Sequence, residues 1–131
     1  MDGGDVVREI KFRAYQPEAK GDLKWWSWQE LRESDLNTIF RHPERYHLMQ
    51  YTGLKDKNGV EIYEGDILAC GDGRVPTLVF WDTENNCWSA RNLPRQEEHK
   101  LNKHFKRFIG EVIGNKWDDS SLLLGGKQDD S

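Results

Sequence analysis

The chain alternates between apolar and charged residues over several short segments, which is the pattern of half-buried β-strands. In residues 8–15, Ile10, Phe12 and Ala14 lie on one face and charged side chains lie on the other. Similar strand candidates are 23–28, 48–54, 60–63, 64–70, 76–82, 87–90 and 108–115. Turn residues separate several of them at intervals of about ten residues, which is typical of a small barrel or sandwich. The pattern therefore predicts a mostly β fold.

The spacing of apolar residues changes after the second predicted strand. The apolar residues there are Trp28, Leu31, Leu36, Ile39 and Phe40. Their spacing is roughly helical, and Ser27 or Ser34 can cap a helix. Pro43 ends whatever precedes it. We expect a short helical insertion of one or two turns at about 28–41.

The remaining segments predict the outline of the chain. The polar stretch 92–107 is either a solvated short helix or a loose loop. The strands 8–15 and 108–115 lie at opposite ends of the chain, and we expect them to pair and close the structure. Residues 1–7 are expected to form a flexible leader and 125–131 a flexible tail, with a single domain over 8–124.

The segment from Leu48 to Leu68 closely resembles the signature of the YopX-like family of phage and prophage proteins. Its sequence is LMQYTGLKDKNGVEIYEGDIL. Residues 8–14 resemble the opening strand of that family, and 111–115 with the residues that follow resemble its ending. The resemblance implies a β-rich fold of one or two small SH3-like barrels, a phage or prophage context and self-association. It implies no catalytic residues.

The signature also has a purely structural interpretation. Gly53 and Gly65 suit tight backbone geometry, and Asn58-Gly59 predicts a hairpin turn in which both residues have positive φ. Tyr51, Leu54, Ile62 and Ile67 can fill a barrel, and Glu64 and Asp66 can accept hydrogen bonds from turn amides. The alternative is an interface repeated between subunits, or the rim of a ligand pocket. The residues of this scaffold motif are Tyr51, Gly53, Leu54, Asn58, Gly59, Ile62, Gly65 and Asp66.

Aromatic residues must fill much of the core, because only 36% of the chain is hydrophobic and 32% is charged. In the run Trp25-Trp26-Ser27-Trp28, strand alternation buries Trp26 and Trp28 on one face and leaves Trp25 on the other. An exposed ring there would mark an interface, because Trp is enriched at binding hot spots. We also expect Trp81 and Trp88 to face each other across a hairpin.

The charge balance disfavours a nucleic-acid partner for the chain as a whole. There are 19 basic and 23 acidic residues, giving a net charge of −4, whereas nucleic-acid binders usually have a high pI and a basic stripe. The exception is the basic region near residues 95–107. Its candidate partner-binding residues are Arg95, Lys100, Lys103, Lys106 and Arg107. A solvated charged face accounts for this region more simply than a nucleic-acid site does.

Motifs for catalysis are missing from the sequence. No zinc-helix pairing of histidines, Cys-x-x-Cys, nucleophile elbow or complete phosphate loop occurs. We therefore expect no enzyme activity, metal or cofactor. Cys70 and Cys87 are expected to be reduced thiols. The opening residues have no basic region followed by an apolar run, and no segment has the length of a membrane span. These features predict a cytoplasmic location.

The sequence leads to one main functional hypothesis and two alternatives. The main one is a non-catalytic phage or prophage protein that binds a host protein, inhibiting a defence protein by direct contact. One alternative is an oligomer that sequesters a nucleotide-like small molecule. The other is a nucleic-acid-binding accessory protein that uses residues 95–107.

Overall fold

The computed structural model describes residues 9–70, 74–94, 96–100 and 110–118, apart from the side chains of Asp22, His99 and Lys100. Its strands are β1 Phe12–Tyr15, β2 Trp25–Trp26, β3 His47–Lys55, β4 Glu61–Tyr63, β5 Asp66–Cys70, β6 Val75–Asp82, β7 Cys87–Asn92, β8 Glu97–Lys100 and β9 Glu111–Asn115. The helices are α1 Trp28–Arg32 and α2 Leu36–Arg41, and a 3₁₀ turn covers Gly21–Lys24. The prediction of a mostly β fold with a short helical insertion is confirmed.

The strands form two sheets, ordered β2-β1-β3-β4 and β8-β7-β6-β5-β9. Each sheet ends in two edge strands, so the described strands form no closed barrel, contrary to what the family resemblance led us to expect. The predicted pairing of 8–15 with 108–115 is wrong. Strand β1 pairs with β2 on one side and β3 on the other, and β9 pairs with β5 instead.

The chain divides into two compact units, Met1–Gly53 and Leu54–Ser131. In the first unit, the two helices pack against one face of β1. The core there consists of Ala14, Leu31 and Ile39, with Trp26 and Leu48 partly buried against it. The prediction that residues 8–124 fold as one domain stays a prediction.

The core of the second unit lies on one face of the five-stranded sheet. Its fully buried members are Ile62, Leu68, Val79 and Ala90. Leu54, Cys70, Trp88 and Val112 pack around them. Strand β6 shows the expected period of two, because Thr77 and Val79 are buried while Leu78 and Phe80 are only half-buried.

The predicted strand 23–28 is wrong over most of its length, since only Trp25 and Trp26 are extended in a sheet. Ser27 ends the extended segment because it forms a capping box with Glu30. The Ser27 hydroxyl accepts a hydrogen bond from the Glu30 N–H at 3.2 Å, and the Glu30 carboxylate accepts one from the Ser27 N–H at 2.9 Å. This reciprocal pair satisfies two N–H groups at the helix start and fixes the start of α1 at Trp28.

The polar stretch 92–107 was predicted to be helix or loop; residues 93, 94 and 96 do form a turn, but the prediction is wrong for 97–100. Residues 97–100 form strand β8, which pairs with β7. Arg91 of β7 binds Glu98 of β8 through its Nε at 3.0 Å and a second guanidinium nitrogen at 2.9 Å. Opposite charges directly across two strands stabilise the pairing without apolar residues, so hydrophobic periodicity could not reveal this strand.

Some predictions fall on parts of the chain that the structure does not describe. These are the leader 1–7, the tail 125–131 and the segment 101–109. Cys70 and Cys87 are both free thiols, as predicted. Within the described ranges, no helix is long and apolar enough to cross a membrane.

Candidate functional site

Two buried aspartates of the signature, Asp56 and Asp66, accept hydrogen bonds within the second unit. Asp56 precedes the turn between β3 and β4 and is only 6% exposed. One carboxylate oxygen accepts hydrogen bonds from the N–H groups of Asn58 at 2.8 Å and Val60 at 2.9 Å. The other accepts from the N–H of Val112, on β9, at 2.9 Å. The buried Asp56 carboxylate therefore hydrogen-bonds both to its own turn and to β9, a strand distant in sequence.

The charge of Asp56 is held by these contacts. Burial raises the pKa of its carboxyl, but the N–H groups of Val112, Val60 and Asn58, with the nearby charge of Lys57, lower it more. The net result is a pKa below the ordinary value of 3.8. A carboxylate that accepts several backbone N–H bonds is stabilised in its charged form, so Asp56 stays ionised inside the fold. A depressed pKa of this kind serves the structure and is not that of a general acid.

The turn after Asp56 differs in detail from the prediction. The Gly59 N–H donates to the Asp56 carbonyl at 3.0 Å, and the Asp56 N–H donates to the Val60 carbonyl at 2.8 Å. Gly59 has φ of +84°, but Asn58 does not have a positive φ. The hairpin is therefore a three-residue turn with glycine in the left-handed position, and the predicted two-residue turn with two positive φ angles is wrong.

Asp66 performs a similar task at the start of β5. Its carboxylate is 1% exposed and accepts a hydrogen bond from the Tyr63 N–H at 2.8 Å and another from the Asn115 side-chain amide at 3.3 Å. Gly65, just before it, has φ of +87°. The Gly65 carbonyl accepts from the Lys116 N–H at 2.9 Å. Asp66 and Gly65 thus join the β4–β5 turn to the end of β9.

The apolar residues of the signature belong to two cores. Leu54 and Ile62 lie in the core of the second unit, and Ile62 is fully buried. Tyr51 is 5% exposed in the first unit, where the Lys11 ammonium lies 4.9 Å from the centre of its ring. Gly53 lies between them in β3 with φ of +88°.

The three neighbouring tryptophans do not form one surface. Trp26 lies opposite Ala14 and packs in the first core, and its indole N–H donates to the Gln16 side chain at 3.0 Å. Trp25 lies opposite Tyr15 on the other face of the sheet. Its ring is 4.8 Å from the Tyr15 ring, and the Arg13 guanidinium lies 5.0 Å from its centre. Trp25 is half-buried between these groups, so it does not provide a freely exposed ring.

Trp28 contributes to a different group of rings, which we call the aromatic patch. The patch consists of Phe12, Trp28 and Phe40, from β1, α1 and α2. The Phe12 ring lies 6.0 Å from that of Trp28 and 6.2 Å from that of Phe40. Phe40 is 48% exposed. Ile10, two residues before Phe12, is 57% exposed. Phe12 and Trp28 are half-buried and pack against the core of the first unit, so Phe40 is the exposed ring of the patch.

An arginine lies at the edge of the aromatic patch. The Arg32 guanidinium is 5.8 Å from the centre of the Trp28 ring, within cation–π range. Arg32 is in the last turn of α1 and is exposed. Trp and Arg are the residue types that dominate the energy of protein interfaces, so this arrangement has the composition of a binding surface.

Sequence reasoning missed Phe12 and Phe40 as residues of the patch. Strand alternation placed Phe12 on the core face, which is correct, because its ring packs partly buried against the core. In α2, Leu36 and Ile39 are three residues apart and share the face that packs inward. Phe40 is four residues after Leu36 and about 40° around the helix from it, so helical periodicity groups Phe40 with the inward residues and gives no signal of its exposure.

The predicted basic site cannot be placed as a surface. Arg95, Lys103, Lys106 and Arg107 lie outside the described residues, and Lys100 is described only by its backbone at the end of β8. The predicted facing of Trp81 and Trp88 is confirmed, because these residues pair across β6 and β7 with ring centres 5.0 Å apart. Trp81 is 38% exposed, less than Phe40. Across the described ranges, no three His, Cys, Asp or Glu side chains are grouped to hold a metal ion.

Comparison with known proteins gives one family. The family model described as YopX protein matches residues 10–124. The matched range contains the aromatic patch, the Asp56 turn and the nine strands of the described residues. No curated protein matches the chain.

Proposed function

The chain belongs to the YopX protein family, and from this premise we propose that it is a non-catalytic binding protein whose contact surface is the aromatic patch. The partner we propose is a protein of a bacterial host, in its cytoplasm. The family resemblance implies a phage or prophage context, and a host defence protein is then the class of target that such a protein would inhibit by contact.

The exposed ring of Phe40 is the observation that carries this proposal. A phenylalanine that is 48% exposed leaves apolar area in water. The half-buried ring of Phe12 contacts Phe40, and that of Trp28 contacts Phe12 in turn. Clustered apolar rings at a surface mark interaction sites more often than scattered single residues do. Covering these rings with a partner would supply binding energy that the free protein lacks.

The geometry of the signature supports a non-catalytic role. Asp56 and Asp66 are the acidic residues best buried in the described chain, and both accept hydrogen bonds from groups of the fold itself. Carboxylates occupied in this way orient turns and strands. If Asp66→Asn abolished a turnover reaction while leaving the melting temperature unchanged, the non-catalytic proposal would have to be abandoned.

Affinity capture from a host lysate tests the proposal when matched variants are compared. Phe40→Ser removes the exposed ring of the patch, whereas Val60→Ser removes an apolar side chain that is equally exposed, at 49%, in the signature turn. We expect the wild-type and Val60→Ser proteins to capture the same host protein and Phe40→Ser to lose it. Equal melting temperatures for the three proteins establish that folding is not the cause.

The captured material also distinguishes the alternatives predicted from the sequence. Mass spectrometry of the eluate reports proteins, nucleotides and nucleic acid from one preparation. A nucleotide-like molecule retained equally by all three proteins would favour the sequestering function. A host protein that binds Phe40→Ser as strongly as wild type would overturn the assignment to the aromatic patch.

A further inference from the structure

We propose that the Asn58-Gly59 peptide of the signature turn is a site of spontaneous deamidation, and that the folded turn, held by the carboxylate of Asp56, protects it. Both residues of this peptide are exposed. In the whole sequence, Asn58 is the one asparagine that is followed by glycine. The strongest turn signal of the signature is therefore also its most reactive peptide bond.

Deamidation needs no reagent other than water, and asparagine is among the thermally labile residues of proteins. The Gly59 backbone nitrogen loses its proton and attacks the side-chain carbonyl carbon of Asn58, and the side-chain nitrogen takes up a proton and leaves as ammonia. Water then opens the resulting cyclic imide. Cleavage on one side gives aspartate, and cleavage on the other gives isoaspartate, in which the main chain runs through the side chain. Either product adds a negative charge to the turn.

Steric shielding does not protect the Asn58-Gly59 peptide. Gly59 has no side chain to hinder the approach of its nitrogen, and a Cβ placed there would meet no atom within 4 Å. The Asn58 side chain forms no hydrogen bond to any residue that the structure describes. Its carbonyl carbon is therefore accessible to water, and no contact of the side chain holds it away from the Gly59 nitrogen.

Asn85, which is exposed in the turn between β6 and β7, differs on both points. It is followed by Asn86, whose Cβ crowds the backbone nitrogen that would attack. The Asn85 side-chain amide also donates a hydrogen bond to the Asp82 carboxylate at 2.8 Å. Asn85 is therefore the matched internal control for Asn58.

Hydrogen bonds of the folded turn oppose the reaction instead. The Gly59 N–H donates to the Asp56 carbonyl at 3.0 Å, so the nitrogen that must lose its proton is held against an acceptor. The Asp56 carboxylate accepts from the N–H groups of Asn58 at 2.8 Å and Val60 at 2.9 Å, which fixes the peptides on both sides of the reactive one. Its negative charge also disfavours a deprotonated nitrogen nearby. The reaction therefore requires the turn to open, which is a local event.

Peptide mapping by mass spectrometry after incubation at neutral pH measures the rate at which Asn58 is converted. Four samples are compared: the folded wild-type protein, wild type unfolded in urea, Asp56→Ala and Asp66→Ala. Asp66 is also buried but accepts its hydrogen bonds in the next turn. We expect conversion to be about tenfold faster in Asp56→Ala than in folded wild type, because two turn N–H groups lose their acceptor and the turn opens more often. The unfolded protein should react at least as fast, with Asn58 ahead of Asn85, and Asp66→Ala should stay near the folded wild-type rate.

Three results would overturn the proposal. An unconverted Asn58 in the unfolded protein would remove the site, and equal rates in folded and unfolded wild type would remove the protection. Equal acceleration in Asp56→Ala and Asp66→Ala would show that general loss of stability, not the Asp56 carboxylate, controls the reaction. If Asp56→Ala does not fold, as judged by circular dichroism, Asp56→Asn replaces it. That variant keeps the shape of the side chain without its charge, and the same order of rates is expected.

Discussion

The Asp56 turn and the aromatic patch use buried and exposed groups in opposite ways. At the Asp56 turn, a charged side chain is buried and three backbone N–H groups satisfy it. At the patch, Phe40 is 48% exposed, and nothing in the described chain covers its ring completely. A buried charge is retained when the fold needs its hydrogen bonds, and exposed rings are retained when a partner needs them. The comparison teaches that the recognisable motif and the proposed contact surface are different parts of this chain.

The largest effect is expected at Gly110, which lies beside the Asp56 turn. A Cβ added there would lie 1.4 Å from the Ala69 carbonyl oxygen, which is part of the backbone and cannot move aside. We expect Gly110→Ala to lower the free energy of unfolding by about 3 kcal/mol, as for severe overpacking. Urea denaturation measures this loss. Gly53→Ala is the control, because a Cβ there meets nothing within 4 Å and costs only the left-handed backbone, about 1 kcal/mol.

The next largest effect is expected from Asp56 itself. Asp56→Ala leaves three N–H groups without their acceptor and should cost about 2–3 kcal/mol, since unsatisfied buried donors are destabilising. Asp35→Ala removes the N-cap of α2 in the first unit and should cost about 1 kcal/mol. Equal losses of unfolding free energy in the two variants would contradict the expectation that the buried carboxylate of Asp56 contributes more to stability than the exposed N-cap Asp35.

Acid should reduce the contribution of the Asp56 carboxylate to the stability of the fold. The folded state holds the pKa of Asp56 below its ordinary value of 3.8. Its contribution to stability is therefore complete above that value, and it is lost as the pH falls through the lower pKa of the folded protein. The difference in free energy of unfolding between wild type and Asp56→Asn should shrink over this acid range. A difference that stayed constant or grew would show that the charge of Asp56 does not support the fold.

The smallest effect on stability is expected at the patch. Phe40→Ser removes a ring that is already half in water, so the free energy of unfolding should change by about 0.5 kcal/mol or less. Binding of the captured host protein should nevertheless fall about thirtyfold or more, as at an interface hot spot. Calorimetric titration of the wild-type and variant proteins compares the two affinities. A loss of several kcal/mol of stability would instead place Phe40 in the core.

Hydrophobic periodicity predicted the parts of the fold that depend on burial. Strand β3 and the β6–β7 hairpin were predicted because their apolar residues alternate or pair across the turn. Strand β8 was missed because an Arg91–Glu98 contact, not apolar burial, stabilises it. The partner of β9 was also missed. Strand β9 pairs with β5, and the Val112 N–H on β9 donates one hydrogen bond to the carboxylate of Asp56, 56 positions away in sequence; no local pattern encodes such contacts.

The sequence indicated a residue type of the candidate site, tryptophan, but not which residues meet there. The sequence indicated that tryptophans near residue 25 were candidates for an interface, and Trp28 does reach the patch. Trp25 does not, because Arg13 and Tyr15 hold it on the other face of the sheet. Phe12 and Phe40 are distant in sequence and meet only when α2 packs against β1. A surface assembled from three elements leaves no contiguous motif.

Photo-crosslinking tests the division between motif and contact surface most directly. A photoreactive phenylalanine analogue is placed at position 40 in one protein and at position 60 in another, two sites of equal exposure in the patch and in the signature turn. Illumination in the bacterial host should give a specific adduct with one host protein from position 40 and none from position 60. The same adduct from position 60, with none from position 40, would contradict the account and assign the contact surface to the signature.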